Sequence, residues 1–231
     1  EIGSGLVGSE MCIRDSVELF LKNEGYNVYK FYSAKEALKC IEETKLDLAL
    51  LDVMLPDTDG LSILKNIRAK GYCFPVIMLT AKVEDNDKII GLSLGADDYI
   101  TKPFNPIEMV SRVKAQLRRY TLYNNSKYDD NEIFDSAGLV VNHATHECTM
   151  YEKDVSLTPT EFNILWLLCE NAGKVVSTED IFKKIWNEKY FDGNNTVMVH
   201  IRRIREKLGE EPRNPKFLKT VWGVGYKIEK K

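Results

Sequence analysis

Three residues in this sequence could together handle a phosphoryl group: Asp52, Thr80 and Lys102. Each follows a short apolar run: Leu46-Asp47-Leu48-Ala49-Leu50-Leu51 before Asp52, Pro75 to Leu79 before Thr80, and Asp98-Tyr99-Ile100-Thr101 before Lys102. A carboxylate can attack phosphorus and form an acyl phosphate. A threonine hydroxyl can hydrogen-bond a phosphoryl oxygen, and a lysine ammonium can neutralise its charge. A lone acid in such a place is as readily a helix cap or one half of a buried ion pair. The recurrence at successive strand ends is what favours chemistry, because ligands of open α/β sheets bind just outside the carboxyl ends of the strands.

The elements that must position these residues alternate strictly. Ile13, Val17, Phe20 and Leu21 recur at helical spacing, and Asn23-Glu24-Gly25 ends that helix. Val28 to Phe31 reads as a strand, and Ser33 caps a helix through Ile41. The Asp52 strand follows, and Pro56 and Gly60 turn the chain into a helix over Leu61 to Lys70. The Thr80 strand, a helix over Glu84 to Leu94, the Lys102 strand and a helix over Glu108 to Arg119 complete the pattern. Such alternation predicts a parallel sheet with helices on both faces. Residues 1–11 offer only Leu6-Val7 as a strand core and read as atypical, either a weak strand or a segment foreign to the gene.

A chain of 231 residues suggests two domains. No apolar run approaches the length of a membrane span, and the start lacks the basic and apolar regions of a secretory signal. Cys12, Cys40, Cys73, Cys148 and Cys169 are scattered without a C-x-x-C, which suits a reducing cytoplasm and indicates neither disulfides nor a zinc site. The net charge of −3 announces no nucleic acid, but its distribution says more. Residues 121–195 carry 6 Lys+Arg against 13 Asp+Glu, whereas residues 196–231 carry 10 against 4, a net of +6. A basic end on an acidic chain is a candidate phosphate-binding surface.

Arg118 to about Glu132 is polar without apolar periodicity and reads as a linker. Short strands follow at Leu139–Val141, Glu147–Met150 and Asp154–Leu157, with His143 and His146 as turn or surface residues between the first two. Thr158-Pro159-Thr160-Glu161 is a helix start with cap, proline and glutamate in register. Its apolar stripe is Phe162, Leu165, Trp166, Leu168 and Cys169. Ser177-Thr178-Glu179-Asp180 starts a second helix, with Ile181, Ile185 and Trp186 inward. Asn195-Thr196 starts a third, whose Val197, Val199, Ile201, Ile204 and Leu208 pack inward while His200, Arg202, Arg203 and Arg205 can face out. A short helix followed by a basic one is the logic of a helix-turn-helix. Lys219 to Ile228 then forms a hairpin with glycines at its tip.

LLDVMLPDTDG, VIMLTA and GADDYITKPF resemble the receiver domain of two-component response regulators over residues 12–120. The resemblance implies a flavodoxin-like, CheY-like doubly wound sheet of five parallel strands. It makes Asp52 the phosphoacceptor, Thr80 the switch hydroxyl, Tyr99 the switch aromatic, and Lys102 a lysine followed by a cis peptide to Pro103. LTPTEFNIL, VHIRRIREKL and TVWGVGYKI resemble the α+β winged helix-turn-helix domain of the OmpR/PhoB-like subfamily over residues 133–231, leaving 121–132 as linker. By position Arg203 would contact a base. Thr196, His200, Arg202, Arg205 and Tyr226 would touch phosphates or the groove, with the hairpin in the minor groove. The subfamily often has Arg where Trp222 stands and a polar residue where Met198 stands. Lys88, Asp97, Asp98, Glu108, Arg112 and Arg119 match charges that form cross-subunit ion pairs in its dimers; solvated surface pairs are the alternative. LKNEGY, YSAKEAL and NPKFLKTVWGVGYKIEK narrow the resemblance to VanR-type regulators of glycopeptide-resistance genes.

The resemblance implies Mg²⁺, held by Asp52, the backbone carbonyl of Met54 and an N-terminal pair of acids. Counted back without gaps, that pair falls at Gly8 and Ser9, which have no carboxylate; Glu10 is one place late. Reduced Mg²⁺ affinity is therefore expected. The expected protein is a cytoplasmic transcription regulator, not itself an enzyme. Its implied partners are a sensor histidine kinase, promoter DNA, a second copy on phosphorylation and RNA polymerase, with no membrane. The alternatives are a DNA-binding regulator that ignores phosphorylation, and an Asp-nucleophile phosphohydrolase. Met54 argues against the latter, which usually needs a second Asp there.

Overall fold

The computed structural model describes residues 2–5, 11–54, 59–81, 92–122, 133–186, 195–211 and 214–229. The chain divides into two compact units, Glu1–Tyr120 and Thr121–Lys231.

In the first unit the elements run β1 (Ile2–Gly5), α1 (Met11–Asn23), β2 (Val28–Lys30), α2 (Ala34–Glu43), β3 (Leu48–Asp52), α3 (Gly60–Ala69), β4 (Val76–Thr80), β5 (Asp98–Thr101) and α4 (Pro106–Leu122). The five strands are parallel in the order β2-β1-β3-β4-β5. This is the doubly wound order whose switch point lies between β1 and β3. Every residue of β3 and β4 is buried, which is why both read as unbroken apolar runs. Val17 and Leu21 of α1 and Met109, Val113 and Leu117 of α4 pack with Leu48, Leu50, Ile77 and Leu79 in one core.

Several expectations shift. The first strand is Ile2–Gly5 rather than a segment centred on Leu6-Val7. It pairs with β2 on one edge and β3 on the other, and hydrogen bonding on both edges outweighs poor intrinsic propensity. Phe20 is exposed, because Val17 and Leu21 one turn apart set the inner face of α1. α4 runs to Leu122, so the first residues of the expected linker, from Arg118, are helical. The helix expected over Glu84 to Leu94 lies outside the described residues except for 92–94, which are helical.

In the second unit, β6 (Ile133–Ser136), β7 (Leu139–Asn142), β8 (Glu147–Met150) and β9 (Lys153–Asp154) form an antiparallel sheet in sequence order. The sequence reading missed β6 and drew β9 too long. Next come α5 (Pro159–Glu170), β10 (Val176–Ser177), α6 (Thr178–Trp186), α7 (Thr196–Lys207), β11 (Leu218–Val221) and β12 (Gly225–Ile228). β11 and β12 make the expected hairpin, and β10 pairs with the other edge of β12. Gly225 lies not at the tip but in β12, where a Cβ on it would sit 2.0 Å from the carbonyl oxygen of Val176. A single core joins Leu139 and Val141 to Phe162, Leu165 and Leu168 of α5, Ile181 and Ile185 of α6, and Val197, Ile201 and Ile204 of α7. His143 and His146 occupy the β7–β8 turn; His143 stacks on Trp166 at 4.7 Å and His146 leans on Phe162 at 4.5 Å.

Candidate functional site

β3, β4 and β5 deliver Asp52, Thr80 and Lys102 to one edge of the sheet. Asp52 ends β3 and is 3% exposed. One carboxylate oxygen, Oδ1, accepts the Met54 N–H at 3.1 Å; the other, Oδ2, accepts Lys102 Nζ at 2.5 Å. Thr80 ends β4 and is buried, and its carbonyl accepts the Lys102 N–H at 2.6 Å. The Lys102–Pro103 peptide is cis. Tyr99 is half-buried on β5, alternating with the buried Asp98 and Ile100. A buried acid with an ammonium already on one oxygen is a site prepared for a further anionic group.

The start of α3 lies against the end of β3 with no space to spare. Asp59 caps α3 by accepting the Leu61 N–H at 3.0 Å, and the Gly60 N–H reaches back to the Val53 carbonyl at 3.1 Å. A Cβ on Gly60 would lie 2.0 Å from the Asp52 carbonyl oxygen, a backbone atom that cannot swing aside. Gly60→Ala is therefore expected to destabilise the first unit by about 1–3 kcal/mol and to displace Asp52. Calorimetry of the full chain checks this; an unchanged transition would refute it.

Receiver domains generally bind Mg²⁺ for phosphorylation. Among the described residues, no group of three or more His, Cys, Asp and Glu could hold a metal ion, and both Asp52 oxygens are engaged. β1 (Ile2-Gly3-Ser4-Gly5) contains no acid. Mg²⁺ keeps near-octahedral oxygen ligation, usually with one or two carboxylates. The described residues do not fit a bound Mg²⁺ by themselves, and Glu10 lies outside them.

Of the charges expected at a dimer face, Asp97, Asp98, Glu108 and Arg112 are engaged within one chain. Asp97 is fully buried, with Oδ2 accepting Arg68 at 2.8 Å and the Val76 N–H at 2.9 Å, so it is removed from any exposed face. Arg68 also donates to the carbonyls of Tyr72, Phe74 and Gly95, tying the end of α3 to the loops flanking β4. Sequence reasoning missed Arg68 because its partner is 29 residues away. Asp98 pairs with Arg112 at 3.3 Å, and Arg112 also meets Glu108 at 3.1 Å one turn earlier on α4. Lys88 and the side chain of Arg119 lie outside the described residues.

The second unit corrects the outward face of the third helix. His200 and Arg203 are buried, not exposed. Residues 200 and 203 fall on the same side as the core residues Val197, Ile201 and Ile204. His200 tilts on Trp186 at 5.5 Å, and Arg203 Nε pairs with Glu161 Oε1 at 3.0 Å. Arg203 is thus paired on the inner side of α7 and not presented outward as expected. Tyr226 is also buried, as a core residue of β12. Arg205 is half-buried and donates to the Leu218 carbonyl and to Thr220 Oγ1, bracing α7 against the hairpin. Thr196 is half-buried, and Arg202 is exposed with Glu206 at 2.9 Å. At the hairpin tip Trp222 is 90% exposed and borders a groove lined also by Ser177, Glu179 and Val224.

Glu161 organises the inner side. It is fully buried at the third position of α5, where its Oε2 accepts the Thr158 N–H at 2.8 Å and Lys207 Nζ at 2.6 Å. Burial alone would raise its pKa, but Arg203, Lys207 and the Thr158 N–H together outweigh that and hold the carboxyl below its usual range. The capping box was legible in the sequence; its use as an anchor for two cations of α7 was not.

An Asp-Thr-Lys corner on a doubly wound sheet, followed by a helix-turn-helix with a β wing, is the architecture of a receiver joined to a DNA-binding output domain. Residues 6–114 match the family described as "Response regulator receiver domain", and residues 152–228 match "Transcriptional regulatory protein, C terminal". The chain is 57% identical over 226 residues to "Regulatory protein VanR" of Enterococcus faecium and 58% identical over 226 residues to "Regulatory protein VanRc" of Enterococcus gallinarum, covering 97% of this chain and of each relative. Among solved structures, the response regulator DrrB of Thermotoga maritima, an OmpR/PhoB homolog, is 31% identical with a TM-score of 0.50, covering 99% of this chain and 98% of that one. A RitR mutant, at 24% identity and full coverage of both chains, shares the fold with a TM-score of 0.75. The chain belongs to the two-component response regulators of the OmpR/PhoB type and stands close to the VanR regulators. Among the described residues no helix is long and apolar enough to cross a membrane.

Proposed function

We propose that this response regulator takes a phosphoryl group on Asp52 and thereby changes how its second unit engages promoter DNA. The observation that carries the reading is the Asp52–Lys102 contact of 2.5 Å at the carboxyl edge of a switch-point sheet. A sensor histidine kinase is the donor: a P–N bond of its phosphohistidine breaks as an Asp52 oxygen forms a P–O bond, and the imidazole leaves. The product carries about −1.5 to −2 charges if it behaves as other phosphorylated side chains do. Lys102 neutralises part of that charge, Thr80 turns its hydroxyl to a phosphoryl oxygen, and Tyr99 packs inward. Asp98, Glu108 and Arg112 then exchange partners and, together with Lys88 and Arg119, pair across a homodimer. α7 enters the major groove with Thr196, Arg202 and Arg205 near the phosphates, and the hairpin reaches the minor groove. By likeness to the VanR relatives, the target promoters are those of glycopeptide-resistance genes in the cytoplasm, with RNA polymerase as a further partner.

The test is DNA affinity of the full chain with and without a small-molecule phosphodonor. An increase of about 5–150-fold is expected, the ordinary range of coupling between two sites. Equal affinity, in a chain shown to be phosphorylated, would overturn the coupling. A second reading, in which the chain regulates without phosphorylation, is favoured by the lack of an acid in β1 and at Gly8 and Ser9. It differs by showing no phosphoryl uptake at all while still binding its operator.

A further inference from the structure

α7 turns a narrow ridge outward. Asn195, Met198, Arg202 and Glu206 are exposed, and their spacing of three and four places them on one helix face. Met198 is 49% exposed while its neighbours Val197 and Val199 are 0% and 4% exposed. Moving Met198 into the core would need a helix rotation of roughly 100°, one residue's turn, which would expose Val197 and Ile201. The packing of α7 thus holds an apolar side chain in water near the start of a helix. The sequence around it is basic, with a net charge of +6 over residues 196–231, complementary to a nucleic acid.

The residues near the start of a recognition helix meet base edges in the major groove. A thioether has no donor and only a weak acceptor. The one apolar feature that a base pair presents on that edge is the C5-methyl of thymine. Methionine is unbranched and adaptable, and can lie along such a methyl without a fixed geometry. Arg202, one turn further on the same ridge, is left to the polar partners beside it.

We propose that Met198 is a specificity-determining residue that selects a thymine by packing on its C5-methyl group. The proposal rests on α7 being the helix that reads the major groove.

The full chain is used to select duplexes from a random pool, and each thymine of the selected duplex is then replaced singly by uracil, which lacks only the methyl. Wild type is expected to lose roughly fourfold in affinity at one such position, the equivalent of about 0.8 kcal/mol for one buried methyl-sized group. Met198→Ala is expected to bind the thymine and uracil duplexes alike, with an unchanged thermal transition because the residue lies outside the core. Indifference of wild type to every uracil overturns the proposal, as does a Met198→Ala variant that keeps the same step. If Arg202→Ala leaves selection and affinity unchanged as well, α7 is not the reader, and the assignment of the helix fails together with the proposal. An Arg202→Ala effect without any uracil effect confines the failure to Met198.

Discussion

Glu161→Ala is expected to melt the second unit roughly 10–25 °C below the unmodified chain, corresponding to a loss of about 3–5 kcal/mol. The size follows from what the substitution leaves behind. Arg203 has a side chain only 10% exposed and Lys207 one 28% exposed, and both lose their carboxylate. Removing one partner of a buried pair costs far more than the pair is worth, because the stranded charge cannot regain its hydration. The Thr158 N–H at the start of α5 loses its acceptor at the same time. Tryptophan fluorescence isolates the effect, since Trp166, Trp186 and Trp222 all lie in the second unit. A shift of a few degrees would mean that Arg203 and Lys207 find other partners, and that the network is not what holds α7 to α5.

The same group sets an acid limit. The folded pKa of Glu161 is depressed, so its contribution is fully present above the unfolded value of about 4.3 and is lost as pH falls through the folded value. Stability of the second unit should therefore decline below about pH 4.3 more steeply in wild type than in Glu161→Gln, which keeps the shape without the charge. Parallel curves for the two chains would show that Glu161 does not titrate differently on folding.

What could be read in the sequence was local, and what could not was a matter of distant pairing. The β3 and β4 runs declared themselves because a parallel strand covered on both faces has no polar positions to interrupt it. The cap of α5 declared itself because Thr158 and Glu161 satisfy each other within one turn. Periodicity could not show that Glu161 would meet Lys207, 46 residues on, or that Arg68 would find Asp97. Charge type alone therefore put Arg203 and Asp97 on surfaces, when an opposite charge supplied by another element had drawn each inside. β1 was obscure for the opposite reason: its stability comes from the two strands beside it and hardly at all from its own residues.

Asp52→Ala should take up no phosphoryl group under conditions in which the unmodified chain is visibly retarded on a phosphate-affinity gel. Among the described residues, the strand ends at this corner offer the Asp52 carboxylate and the Thr80 hydroxyl as oxygen groups that could carry phosphate, both buried. Only the carboxylate is already oriented for attack, with Lys102 on one oxygen and the Met54 N–H on the other. A threonine hydroxyl needs a base to accept its proton, and Asp52, the carboxylate at the end of the adjoining strand, is the group removed. The product should accordingly behave as an acyl phosphate and be cleaved by hydroxylamine, which leaves a threonine ester intact. Uptake that survives Asp52→Ala, or a wild-type product that resists hydroxylamine, would move the acceptor elsewhere. Placing aspartates at Gly8 and Ser9 should speed uptake on Asp52 if the metal is limited by missing carboxylates, and should do nothing in the Asp52→Ala background. Equal rates with and without the added acids would mean that carboxylates outside the described residues, Glu10 among them, already complete the site.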